Sequence, residues 1–263
     1  PARPIILGTL ILMRLLLYNM RYGLGSGGDL HWPLPGAGYI FGNQDNLFRI
    51  IHFIKAQQPD IVGLIEVDTG SFRANRINQV DAIARSLGHF SAYQCKYGES
   101  SLNQVLPIMR NQGNAFLSGS RTYIKKFHYF TKGIKRLVIE LEFSNCIIFL
   151  VHLSLKYGHR RAQLHFLQGL VSRCSKPVVV AGDFNTFLGS REMAPFMKST
   201  GLRNANIHGA PSYPTRAPRM ELDFILYGNG IRVTDFFIPD ISLSDHLPLV
   251  CDFEFFPAIS EAA

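Results

Sequence analysis

Pro177-Val-Val-Val-Ala-Gly-Asp-Phe-Asn185 constrains the fold of this chain more than any other stretch. It is a near-continuous apolar run bounded by proline and glycine, the pattern of a strand buried on both faces inside a layered α/β protein. The run stops abruptly at Gly182, Asp183 and Asn185. A carboxylate and a carboxamide two residues apart project towards one side of the chain. Strand ends in α/β sheets are where ligands usually bind. An Asx-turn that merely closes the strand fits the segment as well.

The same event recurs along the chain. Leu15-Leu-Leu-Tyr18 runs into Asn19, Ile61-Val-Gly-Leu-Ile65 into Glu66, and Ile147-Ile-Phe-Leu-Val151 into His152. Asp223 opens the segment Phe224-Ile-Leu-Tyr227, and Ser244-Asp-His246 directly precedes Leu247-Pro-Leu-Val250. Each has an ordinary explanation when taken alone, because isolated motifs are loose warrants and polar residues commonly end strands. Repetition of one pattern points instead to a site assembled from several strand ends.

The rest of the chain frames that site. Helices are expected over 43–57, 76–87, 158–174 and 190–199; Leu47, Ile50, Ile51 and Ile54 recur at helical spacing in the first, and Ile77, Val80, Ile83, Ala84 and Leu87 in the second. These stripes face a core. Strands are expected over 14–19, 61–65, 114–118, 122–128, 137–143, 146–152, 177–181, 222–227, 231–238 and 249–255, with antiparallel neighbours joined at Asn145 and at Gly228-Asn-Gly230. Mixed helices and many strands give an α/β protein of two packed sheets with outer helices. A chain of 263 residues without repeat, low-complexity tract or hinge-like linker is read as one domain over 14–256, with 1–13 as an N-terminal extension and 257–263 as a tail. Apolar content of 47% supplies a large core, and a charged fraction of 17% is too low for disorder.

Ile5 to Met13 is apolar but interrupted by Gly8, and falls far short of the ~20 residues a membrane span needs. An upstream extension, a trimmed membrane-proximal piece and a cloning remnant all fit it. Cys95, Cys146, Cys174 and Cys251 show no Cys-x-x-Cys spacing and no zinc pattern, so reduced, packed thiols are expected, with one disulfide still open. That usage favours a cytoplasmic setting, while the apolar N-terminus keeps a membrane-proximal or secreted one open. Gly25-Ser-Gly-Gly28 lacks the strand–helix context and the lysine of a nucleotide loop.

The order Asn19, Glu66, His152, Gly182-Asp-Phe-Asn185, Asp223 and Ser244-Asp-His246 resembles the endonuclease/exonuclease/phosphatase superfamily of deoxyribonuclease-like metal-dependent phosphohydrolases. The resemblance runs from about Arg14 to Phe256, and Gln57-Gln-Pro-Asp-Ile-Val-Gly-Leu-Ile-Glu66 matches the family's approach to its metal-binding glutamate. It implies a four-layer α/β sandwich, two mixed β-sheets flanked by helices, with the active site where the strand ends converge. It also implies Glu66, Asp245 and Asn19 around one Mg²⁺ or Mn²⁺, hard cations held by few protein groups. His246 matches the base that activates water and Asp223 the carboxylate that orients it. Asp183 and Asn185 would position nucleophile and phosphate, some family accounts making the aspartate the base. His152 would donate to a phosphoryl oxygen or protonate the leaving group, and Asn114 would contact substrate. Arg21 departs from the pattern, since many nucleases of the family carry a second acid there. An arginine cannot ligate a cation but can grip phosphate.

The net charge of +8 suits an anionic polymer or an anionic membrane equally well. Trp32, Tyr39 and Phe41, on a Gly- and Pro-rich loop, would stack on bases, enter a lipid interface or fold back on the protein. Arg110, Lys125-Lys126 and Arg160-Arg161 are candidate phosphate contacts that fit solvated surface as well. Three functions follow in order: a monomeric metal-dependent phosphodiesterase acting on nucleic acid, without an obligate protein partner; the same chemistry on a phospholipid such as sphingomyelin, or on an inositol phosphate; and an inactive binding module. A scaffold has no need of so many like charges in one place, which disfavours the third.

Overall fold

Leu15 and Leu17 point to one side of their strand and Leu16 and Tyr18 to the other, and all four are buried. A strand buried on both faces has to lie between two further layers. The computed structural model, which describes residues 11–26, 44–95, 111–121, 123–133 and 135–256, has that arrangement. Trp32, Tyr39, Phe41 and Arg110 lie outside the described residues. The strands are β1 (Ile11–Asn19), β2 (Ile61–Asp68), β3 (Phe90–Cys95), β4 (Gln112–Ser118), β5 (Ile124–Tyr129), β6 (Leu137–Glu142), β7 (Ile147–His152), β8 (Val178–Asp183), β9 (Arg203–Asn204), β10 (Asp223–Tyr227), β11 (Ile231–Phe237) and β12 (Leu249–Phe255). The helices are α1 (Gln44–Gln57), α2 (Gln79–Leu87), α3 (Tyr157–Val171) and α4 (Ser190–Thr200).

The strands form two six-stranded sheets, ordered β11-β12-β1-β2-β4-β3 and β5-β6-β7-β8-β10-β9. Both follow one plan. Only the central pair is parallel, β1 with β2 and β7 with β8, and every outer pairing is antiparallel. A parallel pair needs a crossover, which α1 supplies in one sheet and α3 in the other. Leu15, Leu17, Phe116 and Phe253 of the first sheet meet Ile139, Ile148, Leu150 and Ile225 of the second in the central core. Leu47, Ile50 and Ile54 of α1 and Val80 and Ile83 of α2 cover the outer face of the first sheet. Leu164 and Leu167 of α3, with Met193 and Phe196 of α4, cover the second. The result is the expected four-layer α/β sandwich.

Several expectations shift in detail. β1 begins at Ile11, which pairs with Phe255, so part of the stretch read as an extension is strand. β3 and β9 were not foreseen. β3 is an edge strand whose Ser91 and Gln94 break any apolar run, and Ala92 is its buried contribution to the core. α2 starts three residues later than expected because Asn75 and Arg76 have φ of 50° and 62°, and Asn78 caps the helix by accepting from the Val80 and Asp81 N–H groups. The turn Gly228-Asn-Gly230 does not close a hairpin. Both edges of β10 are already occupied, by β8 and β9, so the outgoing chain crosses to the other sheet and pairs with β12 as β11. Cys146, Cys174 and Cys251 are free thiols, the first and last packed in the central core.

Gly182 shows how tightly β7 and β8 approach. A Cβ at that position would collide with the Val151 carbonyl and side chain. Gly182→Ala is therefore expected to destabilise the protein by about 1–3 kcal/mol or more, the usual cost of overpacking a filled core. Urea denaturation measures this, and an unchanged midpoint would contradict the close approach.

Candidate active site

Glu66 owes its aim to an irregularity in β2. Pairing with β4 shifts between Leu64 and Val67, so Ile65 and Glu66 together stand opposite Asn114. Glu66 takes φ 57°, a left-handed conformation that one class of bulge uses and an ordinary strand residue avoids. The expectation that Glu66 ends its strand is corrected accordingly, since β2 continues to Asp68. Asn114 is buried beneath the bulge, and its Oδ1 accepts the Glu66 N–H at 3.3 Å. The Glu66 carboxylate stays 18% exposed, with Oε1 4.0 Å from His152 Nε2 and 3.9 Å from Lys135 Nζ.

In the second sheet, register alone assembles the site. His152 pairs with Asp183 across the parallel strands, and Asp223 pairs with Asp183 across the antiparallel ones. Asp183 Oδ2 accepts Asn19 Nδ2–H at 3.0 Å and lies 3.3 Å from His152 Nε2. Its Oδ1 accepts the Asn185 N–H at 3.0 Å, so the Asx-turn is real and coexists with the site. Asn185, at φ 51°, donates from Nδ2 to the Leu153 carbonyl at 2.9 Å. Because the two sheets share a plan, Asn114 stands to Glu66 as Asp223 stands to Asp183.

The turn before β12 closes the constellation. Ser244 Oγ donates to the Asn19 carbonyl at 2.7 Å and lies 3.2 Å from Asp245 Oδ1. His246 Nδ1 meets Asp223 Oδ2 at 2.7 Å, and Ser212 Oγ donates to that same oxygen at 2.6 Å. The Tyr213 ring packs on the imidazole with centroids 4.7 Å apart. Arg21, at φ 46° in a short 3₁₀ turn, places Nε 3.4 Å from Asp245 Oδ2. Asn19, Glu66, His152, Asp183, Asn185, Asp223, Asp245 and His246 thus converge, with Arg21 at the rim and Asn114 in support. Sequence reasoning missed Lys135, which contacts His152 Nε2, and Ser212, which holds Asp223. No spacing marks either residue; only the folded chain brings them in.

Burial opposes the charge on Asp183, yet His152, by charge and hydrogen bond, with His246 and Lys135, holds its carboxyl well below the usual range. Burial raises Asp245, helped by the nearby charge of Glu66 and opposed by His246 and Arg21. Burial would lower His246, but the charge and hydrogen bond of Asp223, joined by Asp183 and Asp245, push it up to about 10. Burial raises Asp223 against the pull of His246, so the two compete for the proton between them. With divalent ions chelated, the stability contributed by His246 is therefore full below its ordinary value of 6.5 and is lost as pH rises through about 10. Urea midpoints of the wild type and His246→Gln should converge at high pH; a gap that stays constant to pH ~11 would contradict the assigned pairing.

The donors present fit a hard divalent cation. Asn19, Glu66 and Asp245 offer oxygen, and Glu66 is close enough to add to the cost of ionising Asp245. Asp183, Asp223 and His246 also have ligand atoms within 4.8 Å of one another. In that trio, however, Asp223 Oδ2 is already committed to His246 and Ser212. Asp223 Oδ1 is buried without a hydrogen-bond partner among the described residues, an orphan that marks an unfinished polar site.

The sequence profile of the Endonuclease/Exonuclease/phosphatase family matches residues 18–246. Uncharacterized protein YbhP of Escherichia coli (strain K12) is 36% identical over 110 residues, which is 38% of this chain and 42% of that protein. The match thus spans less than half of that relative's length. The human nocturnin catalytic domain with bound sulfate anion has a TM-score of 0.66 at 21% identity, covering 94% of this chain and 97% of its own. ANGEL2, a 2',3'-cyclic phosphatase, in complex with adenosine-2',3'-vanadate, has a TM-score of 0.66 at 16% identity, covering 94% of this chain and 96% of its own. At these identities the likeness to the solved structures is one of fold.

Proposed function

Because the chain belongs to the endonuclease/exonuclease/phosphatase family, whose members hydrolyse phosphoester bonds, we propose that it is a divalent-metal-dependent phosphodiesterase acting on nucleic acid. The observation that carries this reading is the junction of the two sheets through Asn19 and Asp183, bonded at 3.0 Å, which brings Glu66, Asp245 and the His246–Asp223 pair to one place. The net charge of +8 suits a polyanion. Two proteins of the same fold, ANGEL2 in complex with adenosine-2',3'-vanadate and nocturnin with a bound sulfate anion, hold oxyanions, which is in keeping with this reading.

Glu66, Asp245 and Asn19 would hold Mg²⁺ or Mn²⁺. When bound, that cation offsets the charge of the non-bridging phosphoryl oxygens and of the carboxylates that retain the His246 proton. Neutral His246 accepts a proton from the attacking water at Nε2, while Asp223 fixes its tautomer by accepting from Nδ1–H. Asp183 and Asn185 orient the water and the phosphate. As the bond from phosphorus to the leaving oxygen breaks, His152 supplies the proton to that oxygen. Arg21, only loosely engaged with Asp245, is free to turn towards a phosphoryl oxygen.

Plasmid, single-stranded DNA, RNA, sphingomyelin, inositol phosphates and bis-p-nitrophenyl phosphate, each assayed with Mg²⁺ and with chelator, test the proposal. Expected are Mg²⁺-dependent cleavage of polynucleotide and of bis-p-nitrophenyl phosphate, abolished by chelator and restored by Mn²⁺. Hydrolysis that survives full chelation would sink the role given to Glu66. Cleavage of sphingomyelin alone would establish the second reading, a phospholipid phosphodiesterase, which the exposed apolar groups Leu155 and Leu188 beside the site favour.

A further inference from the structure

Two loops leave the reactive end of the second sheet, one after His152 and one after Asp183, and both carry apolar side chains into solvent. Leu155 is 60% exposed, Tyr157 57%, Phe187 50% and Leu188 69%. Arg160 ties them into one edge. Its guanidinium donates to the Ser154 carbonyl at 3.0 Å and the Leu155 carbonyl at 2.7 Å, and pairs with Glu192 at 2.5 Å. It also lies 5.8 Å from the centroids of both the Tyr157 and the Phe187 rings. Single exposed apolar residues need no explanation, but a cluster held in place by a buried arginine marks an interaction surface.

Behind this edge, α3 and α4 enclose a groove of about 290 Å³ with Leu164, Pro195 and Phe196 as apolar lining, Arg161 and His165 as basic lining, and Glu192, which Arg160 pairs, as its one acid. The surrounding charge is one-sided. Residues 153–200 contain seven lysines and arginines against two acids. Of those acids, Asp183 belongs to the reactive centre and Glu192 is paired with Arg160. Lys156, Arg161, Arg191 and Lys198 are exposed. Apolar side chains in water beside cations that no described acid pairs suit the interfacial plane of an anionic bilayer. Single-stranded nucleic acid would call for a row of aromatic rings, whereas the two most exposed groups in this cluster are leucines. No described helix is long and apolar enough to cross a membrane.

We infer that the edge formed by Leu155, Tyr157, Phe187 and Leu188, with the basic groove behind it, docks on an anionic lipid bilayer and turns the reactive centre towards the headgroups. This goes beyond the phosphodiesterase reading and holds whichever phosphodiester is cut.

The test uses the full chain, with chelator present, and vesicles of phosphatidylcholine alone or mixed with phosphatidylglycerol. The protein should pellet with the mixed vesicles and not with phosphatidylcholine alone. Leu155→Ser/Leu188→Ser and Lys156→Glu/Arg191→Glu should each weaken that binding about tenfold or more. Both variants should keep the wild-type circular dichroism melt and, assayed separately with Mg²⁺ and without chelator, unchanged hydrolysis of bis-p-nitrophenyl phosphate. Absence of binding to the anionic vesicles overturns the inference, as does binding that neither variant reduces. An oligonucleotide affinity lost in the leucine variant while vesicle binding persists assigns the edge to nucleic acid instead, and also overturns it. Failure to hydrolyse bis-p-nitrophenyl phosphate in the wild type would contradict the phosphodiesterase reading and leave vesicle binding to be judged by itself.

Discussion

His246→Ala is expected to lower kcat by about 10²–10⁴-fold, the usual contribution of a positioned acid–base group. KM should move far less, because the imidazole is assigned to the water and not to substrate binding. The loss has two parts. The water loses its base, and the Asp223 carboxyl, whose Oδ1 has no hydrogen-bond partner among the described residues, loses the imidazole facing Oδ2 and keeps only Ser212 there. Asp223→Asn separates them: the ring stays, while the carboxylate charge that raises its pKa is gone and the amide no longer enforces one tautomer. In that variant the acidic limb of the rate–pH profile should shift downward, since the neutral ring then persists to lower pH. His246→Ala with near-wild-type kcat and an unchanged thermal melt would remove His246 from the mechanism.

Glu66→Gln is expected to cost about 10²–10³-fold in rate, on the scale of deleting one pre-organised group that manages transition-state charge. The amide preserves the shape of the bulge and the backbone bond to Asn114, so only the carboxylate is lost. The rate should recover partly as Mg²⁺ is raised, because Asn19 and Asp245 remain. A Mg²⁺ titration that separates the half-saturating concentration from the plateau measures this. An unchanged half-saturating concentration would place the cation away from Glu66.

Much of this site is legible in the sequence, for a physical reason. A strand covered on both faces must be apolar throughout, so the first polar group at its end stands out, as Asn19, His152 and Asp183 do. Parallel and antiparallel register then does the assembling, and register follows from which side chains are buried. Glu66 shows the limit. Its run also ends in a polar group, but the cause is a bulge with a positive φ that no residue type at that point announces. Lys135 and Ser212 reach the site from loops, where contact depends on the path of the whole chain. The shared plan of the two sheets leaves no trace as a sequence repeat either, since strand order is set by pairing and not by residue identity. The turn at Gly228-Asn-Gly230 has hairpin chemistry, and the occupied edges of β10 override it.

Diffraction from Mn²⁺-soaked crystals, read as an anomalous difference map, tests the central claim most directly. One strong peak is expected in direct ligation to the Glu66 carboxylate, with Asp245 and Asn19 around it and the His246–Asp223 pair left intact. A peak seated among Asp183, Asp223 and His246 with Glu66 unligated, or no peak near these side chains, would contradict it.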